Sequence, residues 1–224
     1  MAGRCWALDA SDFLQLWDDC QRCFYLKVAR GFPRPRATPS PDSPVTPLTI
    51  DWHCRHSDSL VADMPAGILE LGELRAESEP IDVHLPDAVR HCRLLGKIDT
   101  VLRLNDGGHA LVSVEVGKPL IEPAARLLHA MASALEHAAN GSSRLGPIRR
   151  LGILAFAPRT LAREAEGRAI LTGSLRWIEV PRDDGAFFGF LAEVISVLDA
   201  PEPPGGAPMC QWCVYRDASR RTGL

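Results

Sequence analysis

The sequence predicts a single α/β domain. Three observations predict it. Strand-like and helix-like runs alternate along most of the chain, an Asn-Asp-Gly-Gly turn joins two strand-like runs near its middle, and matched CxxC pairs stand near its two ends. With 224 residues, of which 46% are hydrophobic, the chain can bury one sizeable core. Residues 1–224 are therefore read as one domain, with 32–47 as a Pro-rich internal connector and 201–224 as a cysteine-containing C-terminal tail.

From Asp9 to Arg30, the residues Leu8, Phe13, Leu16, Trp17, Phe24 and Leu26 recur at broadly helical spacing. They predict a helix or two, with Asp9 or Ser11 as N-cap and an end near Gly31. Prolines at 33, 35, 39, 41, 44 and 47 lack amide donors and forbid a continuous helix or central strand, so this stretch reads as an extended surface connector. Between residues 50 and 86 the pattern is weak, giving a short helix around Ser57 to Leu69 and a polar loop through Glu77 to Pro80. The apolar run from His91 to Arg103 surrounds Gly96-Lys97-Ile98-Asp99 and reads as a strand. Asn105 to Gly108 tolerate positive φ, and His109 to Val116 alternate as the partner strand of a β-hairpin. Pro123 to Ala139, rich in Ala and Leu, predicts a helix that opens on a proline and stops at Asn140-Gly141 with a left-handed cap. Two strands follow, Arg150 to Phe156 and Leu175 to Val180. After them come an amphipathic helix from Ala186 to Leu198 and a stiff Pro/Gly-rich approach over 201–208.

A formal net charge of -3 excludes a global basic field, so any nucleic-acid contact has to come from a local patch. Arg22, Arg30, Arg34 and Arg36 form the nearest one. They can pair with phosphates, and equally can solubilise the connector. Met1-Ala2-Gly3-Arg4 lacks the apolar run of a signal peptide, and no stretch approaches the ~18–20 apolar residues that span a bilayer. A soluble, cytoplasmic protein without membrane contact is the expectation. Seven cysteines, an odd number, argue for reduced thiols or metal ligands over a disulfide framework.

Cys20-Gln21-Arg22-Cys23 and Cys210-Gln211-Trp212-Cys213 each place two thiolates at the spacing that binds one ion. Together they offer four ligands, and one shared site would pin the first helix to the tail in a structural role. Two other readings stand beside it. Free cysteines can pack as small hydrophobes in the core, and a CxxC can serve redox chemistry, although neither pair lies between an evident strand and a helix start. Zinc and an iron-sulfur cluster both suit four thiolates. Cys5, Cys54 and Cys92 have no partner at ligand spacing and are expected to be buried.

With these motifs in order, Cys20-Gln-Arg-Cys-Phe-Tyr-Leu26, Gly96-Lys-Ile-Asp99, Val112-Ser-Val-Glu-Val-Gly-Lys-Pro119 and Cys210-Gln-Trp-Cys-Val-Tyr215, the chain resembles the RecB-like branch of the PD-(D/E)XK nuclease-like superfamily. The resemblance spans most of the chain and implies a restriction-endonuclease-like core, a mixed central sheet flanked by helices, clasped by four cysteines holding a structural zinc ion or a 4Fe-4S cluster. It makes Asp99 the first metal-binding carboxylate. Ser113 then stands at the second acidic position, Glu115 at the lysine position, and His129 and Ser133 at the glutamine and tyrosine of the helix motif.

Phosphodiester hydrolysis needs carboxylates to hold Mg²⁺ and a lysine to orient water and stabilise developing charge. Ser113 cannot replace an anionic ligand. Strand alternation puts Ser113 and Glu115 on one face, so Glu115 can join Asp99 as a replacement carboxylate while Lys118 reaches back as a migrated lysine. Without the flanking motifs, Asp99 reads as a polar residue beside a turn and Glu115 as a solvated strand charge. His91, His109 and His129 are single histidines, and only His129 has positional support as a ligand. The expectation is a pseudoenzyme that binds DNA or a protein partner of a repair or defence complex. The alternatives are a Mg²⁺- or Mn²⁺-dependent DNase built on Asp99, Glu115 and Lys118, and a metal-stapled protein-interaction scaffold.

Overall fold

A computed structural model describes residues 4–34, 55–163 and 169–222. In chain order its elements are β1 (Cys5–Asp9), a 3-10 turn (Ala10–Phe13), α1 (Leu16–Asp19), α2 (Gln21–Arg30), a second 3-10 turn (Ser57–Ser59), β2 (Gly67–Glu77) and β3 (Ile81–His84). There follow β4 (Val89–Leu104), β5 (His109–Val116), α3 (Ile121–Glu136), β6 (Ile148–Arg163), β7 (Ala169–Val180), α4 (Asp184–Asp199) and α5 (Gln211–Thr222). The strands form one seven-stranded mixed sheet in the order β1-β4-β5-β6-β7, with β2 and β3 also paired to β4. β1 lies parallel to β4 and β5 parallel to β6, while the remaining pairs are antiparallel. The sixteen-residue β4 is the hub. β2 and β3 run end to end along one edge of it, and β1 and β5 share the other.

The two faces of the sheet are covered unequally. The main core lies between the sheet and the helices, where Leu94, Ile98, Leu111 and Ile153 meet Phe24 of α2, Leu128 and Met131 of α3, and Leu191 and Ile195 of α4. A smaller cluster of Met64, Leu69, Leu102, Val112 and Leu154 fills the opposite face under the segment after the second 3-10 turn. Gly96 is required by close approach: a Cβ there would sit 2.6 Å from Met131 Sδ and 3.1 Å from Ala10 Cβ. The glycine of the Gly96–Asp99 motif thus lets α3 and the first 3-10 turn rest directly on β4.

The hairpin, both later strands and the helix at 184–199 lie where the sequence predicts them, and Gly31 closes α2 at φ 69°. Several elements differ. Cys5 to Asp9 is a strand; its Leu8 fits the helical spacing of the following residues, and only pairing with β4 makes it extended. Asp9 still caps, but it caps the 3-10 turn, accepting from the Ser11 amide at 2.9 Å. The 55–86 region holds β2 and β3 in place of a helix, and the loop expected through Glu77 to Pro80 is part of the sheet's bonding: the Ser78 amide donates to the Leu94 carbonyl at 2.9 Å, and Ser78 Oγ accepts from the Leu94 amide at 2.9 Å. α3 stops at Glu136, before Asn140-Gly141. Residues 137–139 are diverted because the Glu79 amide bonds the His137 carbonyl and the Ala139 amide bonds the Glu77 carbonyl. Gly141 takes φ 85° in the turn beyond. The 201–224 tail carries α5, and most of the 32–47 connector lies outside the described residues. Among the described residues no helix is long and apolar enough to cross a membrane.

The end of α3 is fixed by a bidentate ion pair. Arg182 donates to Glu136 at 3.0 and 2.7 Å and to Asp184 at 3.0 and 3.1 Å, and Glu136 also accepts from the Ile148 amide at 2.8 Å. Burial raises the Glu136 pKa, but Arg182 and the Ile148 amide outweigh it and leave it below the usual glutamate value. A depressed folded-state pKa contributes stability above the unfolded value, lost as pH falls through the folded one. Denaturant midpoints are therefore expected to favour the wild type over Glu136→Gln at neutral pH, with the two converging below pH ~4.

Candidate metal centre and the nuclease-motif positions

Each CxxC pair opens a helix. Cys20 is the extended N-cap of α2 and its carbonyl accepts from the Phe24 amide at 3.1 Å. Cys210 immediately precedes α5 and its carbonyl accepts from the amides of Cys213 and Val214 at 3.0 and 3.1 Å. Cys23 and Cys213 follow in the first turns. Unpaired amides at a helix start favour negative charge nearby, so both helices present the same electrostatic setting to the sulfurs. All four cysteines are buried, and their Sγ atoms lie within 4.8 Å of one another. Cys20 Sγ is 3.6 Å from Cys213 Sγ, and Cys23 Sγ is 3.6 Å from Cys210 Sγ and 3.7 Å from Cys213 Sγ. The four thiols can hold one metal ion.

Three of the thiols are shifted, one downward and two upward. Burial pushes the Cys20 thiol up, but amides of Ala207 and Cys23 and the thiols of Cys213 and Cys210 bring it down to about 7. Burial pushes Cys23 up to about 11, helped by Cys210, and raises Cys213 as well. Metal binding expels such protons and makes loading pH-dependent. Gly206 brings the tail over the site. A Cβ on it would fall 2.8 Å from Cys213 Cβ, 3.1 Å from its sulfur and 3.4 Å from Arg22 Nη1. Around the cluster, Arg22 bonds Asp217 at 3.0 and 2.9 Å, joining α2 to α5, and Tyr25 donates to the Ala200 carbonyl at 3.0 Å. Cys92 is buried as expected, its thiol pushed up to about 12 by burial first and by Cys5 second. Cys5, expected to be buried, is exposed near the start of the edge strand β1. Cys54 lies outside the described residues.

The nuclease-motif residues are positioned differently. Asp99 is 67% exposed and its nearest cation, Lys97, lies at 3.8 Å while bonding Glu73 at 3.2 Å. It sits where the pairing of β2 with β4 slips between Leu71 and Leu74, so Gly72 and Glu73 oppose Asp99 as a bulge. The β4–β5 ladder ends at Val101 and Leu111, two residues short of setting Asp99 against Ser113. Glu115 lies on the same face of β5 as Ser113, half-buried, and accepts from the Leu120 amide at 3.0 Å. Burial raises its pKa although that bond opposes the rise. Lys118 is exposed. Among the described residues the cysteines are the one set of three or more metal-capable side chains, and Asp99 and Glu115 join no such group.

Of the arginine cluster, Arg22 is committed to Asp217 and Arg34 donates to Asp19 at 2.8 Å. Arg30 is exposed, and Arg36 lies outside the described residues. His129 has both nitrogens engaged: Nδ1 donates to the Ala125 carbonyl at 2.7 Å and Nε2 accepts from the Asp183 amide at 2.9 Å, and the ring stacks on Phe187. It is a satisfied core histidine. His91 bonds Asp82 at 2.8 Å, and His109 Nδ1 is buried with no hydrogen-bond partner among the described residues. The sequence reading missed α5 and with it Arg216 and Asp217, which follow Cys213 by three and four residues. Helical spacing after the second CxxC was the signal that could have found them.

Fold and site together define a mixed α/β protein whose terminal regions meet at a four-cysteine, metal-capable centre. No family model matches the chain, and no curated protein is similar to it. A solved structure described as the crystal structure of SSO0001 aligns with 94% of this chain and 84% of that chain at 10% sequence identity, with a TM-score of 0.42. That likeness is too loose to carry an argument.

Removing the metal, or replacing one ligand by Cys210→Ser, is expected to detach α5. Tryptic cleavage after Arg216 should accelerate, and thermal unfolding should fall by ~10 °C or more in both cases. Cleavage and melting unchanged by a chelator would show that the thiols pack without a metal.

Proposed function

We propose that the protein is a zinc-clasped, non-hydrolytic protein of nuclease-like fold that acts as a protein-interaction scaffold. The observation that carries the metal assignment is the spacing of the four sulfurs. A tetrahedral ion with metal–sulfur bonds of ~2.3 Å sets sulfurs ~3.8 Å apart, close to the 3.6 to 3.7 Å found for three of the pairs. A 4Fe-4S cluster, with one thiolate on each iron, holds them ~6 Å apart, beyond the 4.8 Å limit of this set. The spacing favours one zinc ion in a structural role.

The non-hydrolytic reading rests on the separation of the motif positions. Asp99 lies in solvent opposite a bulge of β2, Glu115 closes its own turn through Leu120, and Ser113 supplies no charge. The order of β4, turn, β5 and α3 supports the nuclease-like resemblance. Binding to a protein is favoured over binding to nucleic acid, because Arg22 and Arg34 are consumed by Asp217 and Asp19. The exposed side chains beside the clasp include Phe32, Met209, Val214 and Tyr215, the apolar kind that protein interfaces bury.

The test is elemental analysis of the purified protein together with DNA incubation in Mg²⁺ and Mn²⁺. One zinc per chain, a colourless solution and intact single-stranded and duplex DNA are expected, with Asp99→Ala and Glu115→Ala behaving as wild type. A brown, iron-containing protein would replace zinc by a cluster. Cleavage abolished by both substitutions would establish a rearranged nuclease, and tight, salt-sensitive DNA binding would return the nucleic-acid reading.

A further inference from the structure

We propose that Arg216 is the counter-charge of the cysteine centre, holding Cys23 by an N–H···S contact and keeping the loaded site closed to chelators and electrophiles. The inference rests on the metal reading above. Four thiolates on a dication leave two net negative charges, here on four buried cysteines. Buried charge without compensation is costly, so a cation has to stand close by.

Two of the neighbouring arginines are already neutralised. Arg22 places both terminal nitrogens on Asp217, and Arg34 bonds Asp19. Among the described residues Arg216 has no carboxylate partner. Its Nη1 donates to Cys23 Sγ at 3.8 Å and its Nη2 to the Pro33 carbonyl at 3.5 Å. The spacing explains the placement: Arg216 follows Cys213 by three residues in α5 and so lies on the same helix face as that ligand. The second contact falls on the chain just beyond Gly31, whose left-handed conformation ends α2 and turns the backbone. One guanidinium therefore spans a ligand of the first pair and the exit of its helix while it is carried by the helix of the second pair. A planar, forked donor can make both contacts at once, which an ammonium cannot do with the same geometry.

The experiment compares wild type, Arg216→Gln and Arg216→Lys after metal content has been measured in each. It follows zinc transfer to a colorimetric chelator and the alkylation of Cys23 by iodoacetamide, mapped by mass spectrometry, with circular dichroism as the check on folding. Loss of an outer-shell partner typically costs ~10–100-fold in metal affinity. Zinc release from Arg216→Gln should rise on that scale, Arg216→Lys should fall between, and Cys23 alkylation should rise in the same order in folded protein. Loss of packing alone would lower the melting temperature without this graded change in sulfur reactivity. Release and alkylation at wild-type rates in either folded variant overturn the proposal while leaving the zinc reading intact. A wild-type protein that neither contains nor takes up zinc overturns both.

Discussion

Two helix starts that lie far apart in sequence meet at one point, and the fold depends on that meeting. Cys23 and Cys210 are 187 residues apart, and closing a chain segment of that length costs about 5 kcal/mol in conformational entropy. The structural zinc ion proposed for the four thiols would bring ~10–16 kcal/mol of apparent binding free energy, more than that cost. The cysteines do not act alone, since Arg22 reaches Asp217 and Tyr25 reaches the Ala200 carbonyl from the same helix. These contacts orient α5, while the thiols set the distance.

The clasp also explains why α2 is so deeply buried. Cys23, Phe24, Tyr25 and Leu26 are consecutive buried residues, more than one amphipathic stripe supplies. One side of α2 faces the sheet and α4, another the clasp and α5. Phe190 packs edge-on against Phe13 and Trp17, and Trp17 edge-on against Phe24, with ring centroids 5.1 to 5.7 Å apart, while Phe13 and Phe24 are tilted at 6.4 Å. The metal centre and the main core are thus one body, and Cys23 belongs to both.

β4 pairs with four strands and carries the Gly96–Asp99 segment. Its Gly96 leaves room for the approach of Met131. Its aspartate is displaced by the bulge opposite it. A hydrolytic centre needs carboxylates converging on one ion, whereas here the ladder to β5 closes before it reaches Asp99.

Much of this was legible in the sequence, for identifiable reasons. Local chemistry determined the hairpin through Asn105 to Gly108, the helix end at Gly31 and the ligand identity of the four cysteines, because turn preference, left-handed backbone and CxxC spacing act within a few residues. The tertiary structure alone decided what depends on distant partners. Cys5 to Asp9 became a strand because β4 offers it an edge, and α3 ended at Glu136 because residues 77–79 claim the backbone of 137–139. Arg22 turned from a candidate phosphate contact into an internal tie because Asp217 meets it across 195 positions. His129 became a core residue because the Asp183 amide meets its ring. Whether four cysteines form one centre or two pairs is likewise a matter of distance in space. Spacing along the chain names the ligands, and only the packing of α2 against α5 brings their sulfurs to 3.6 Å.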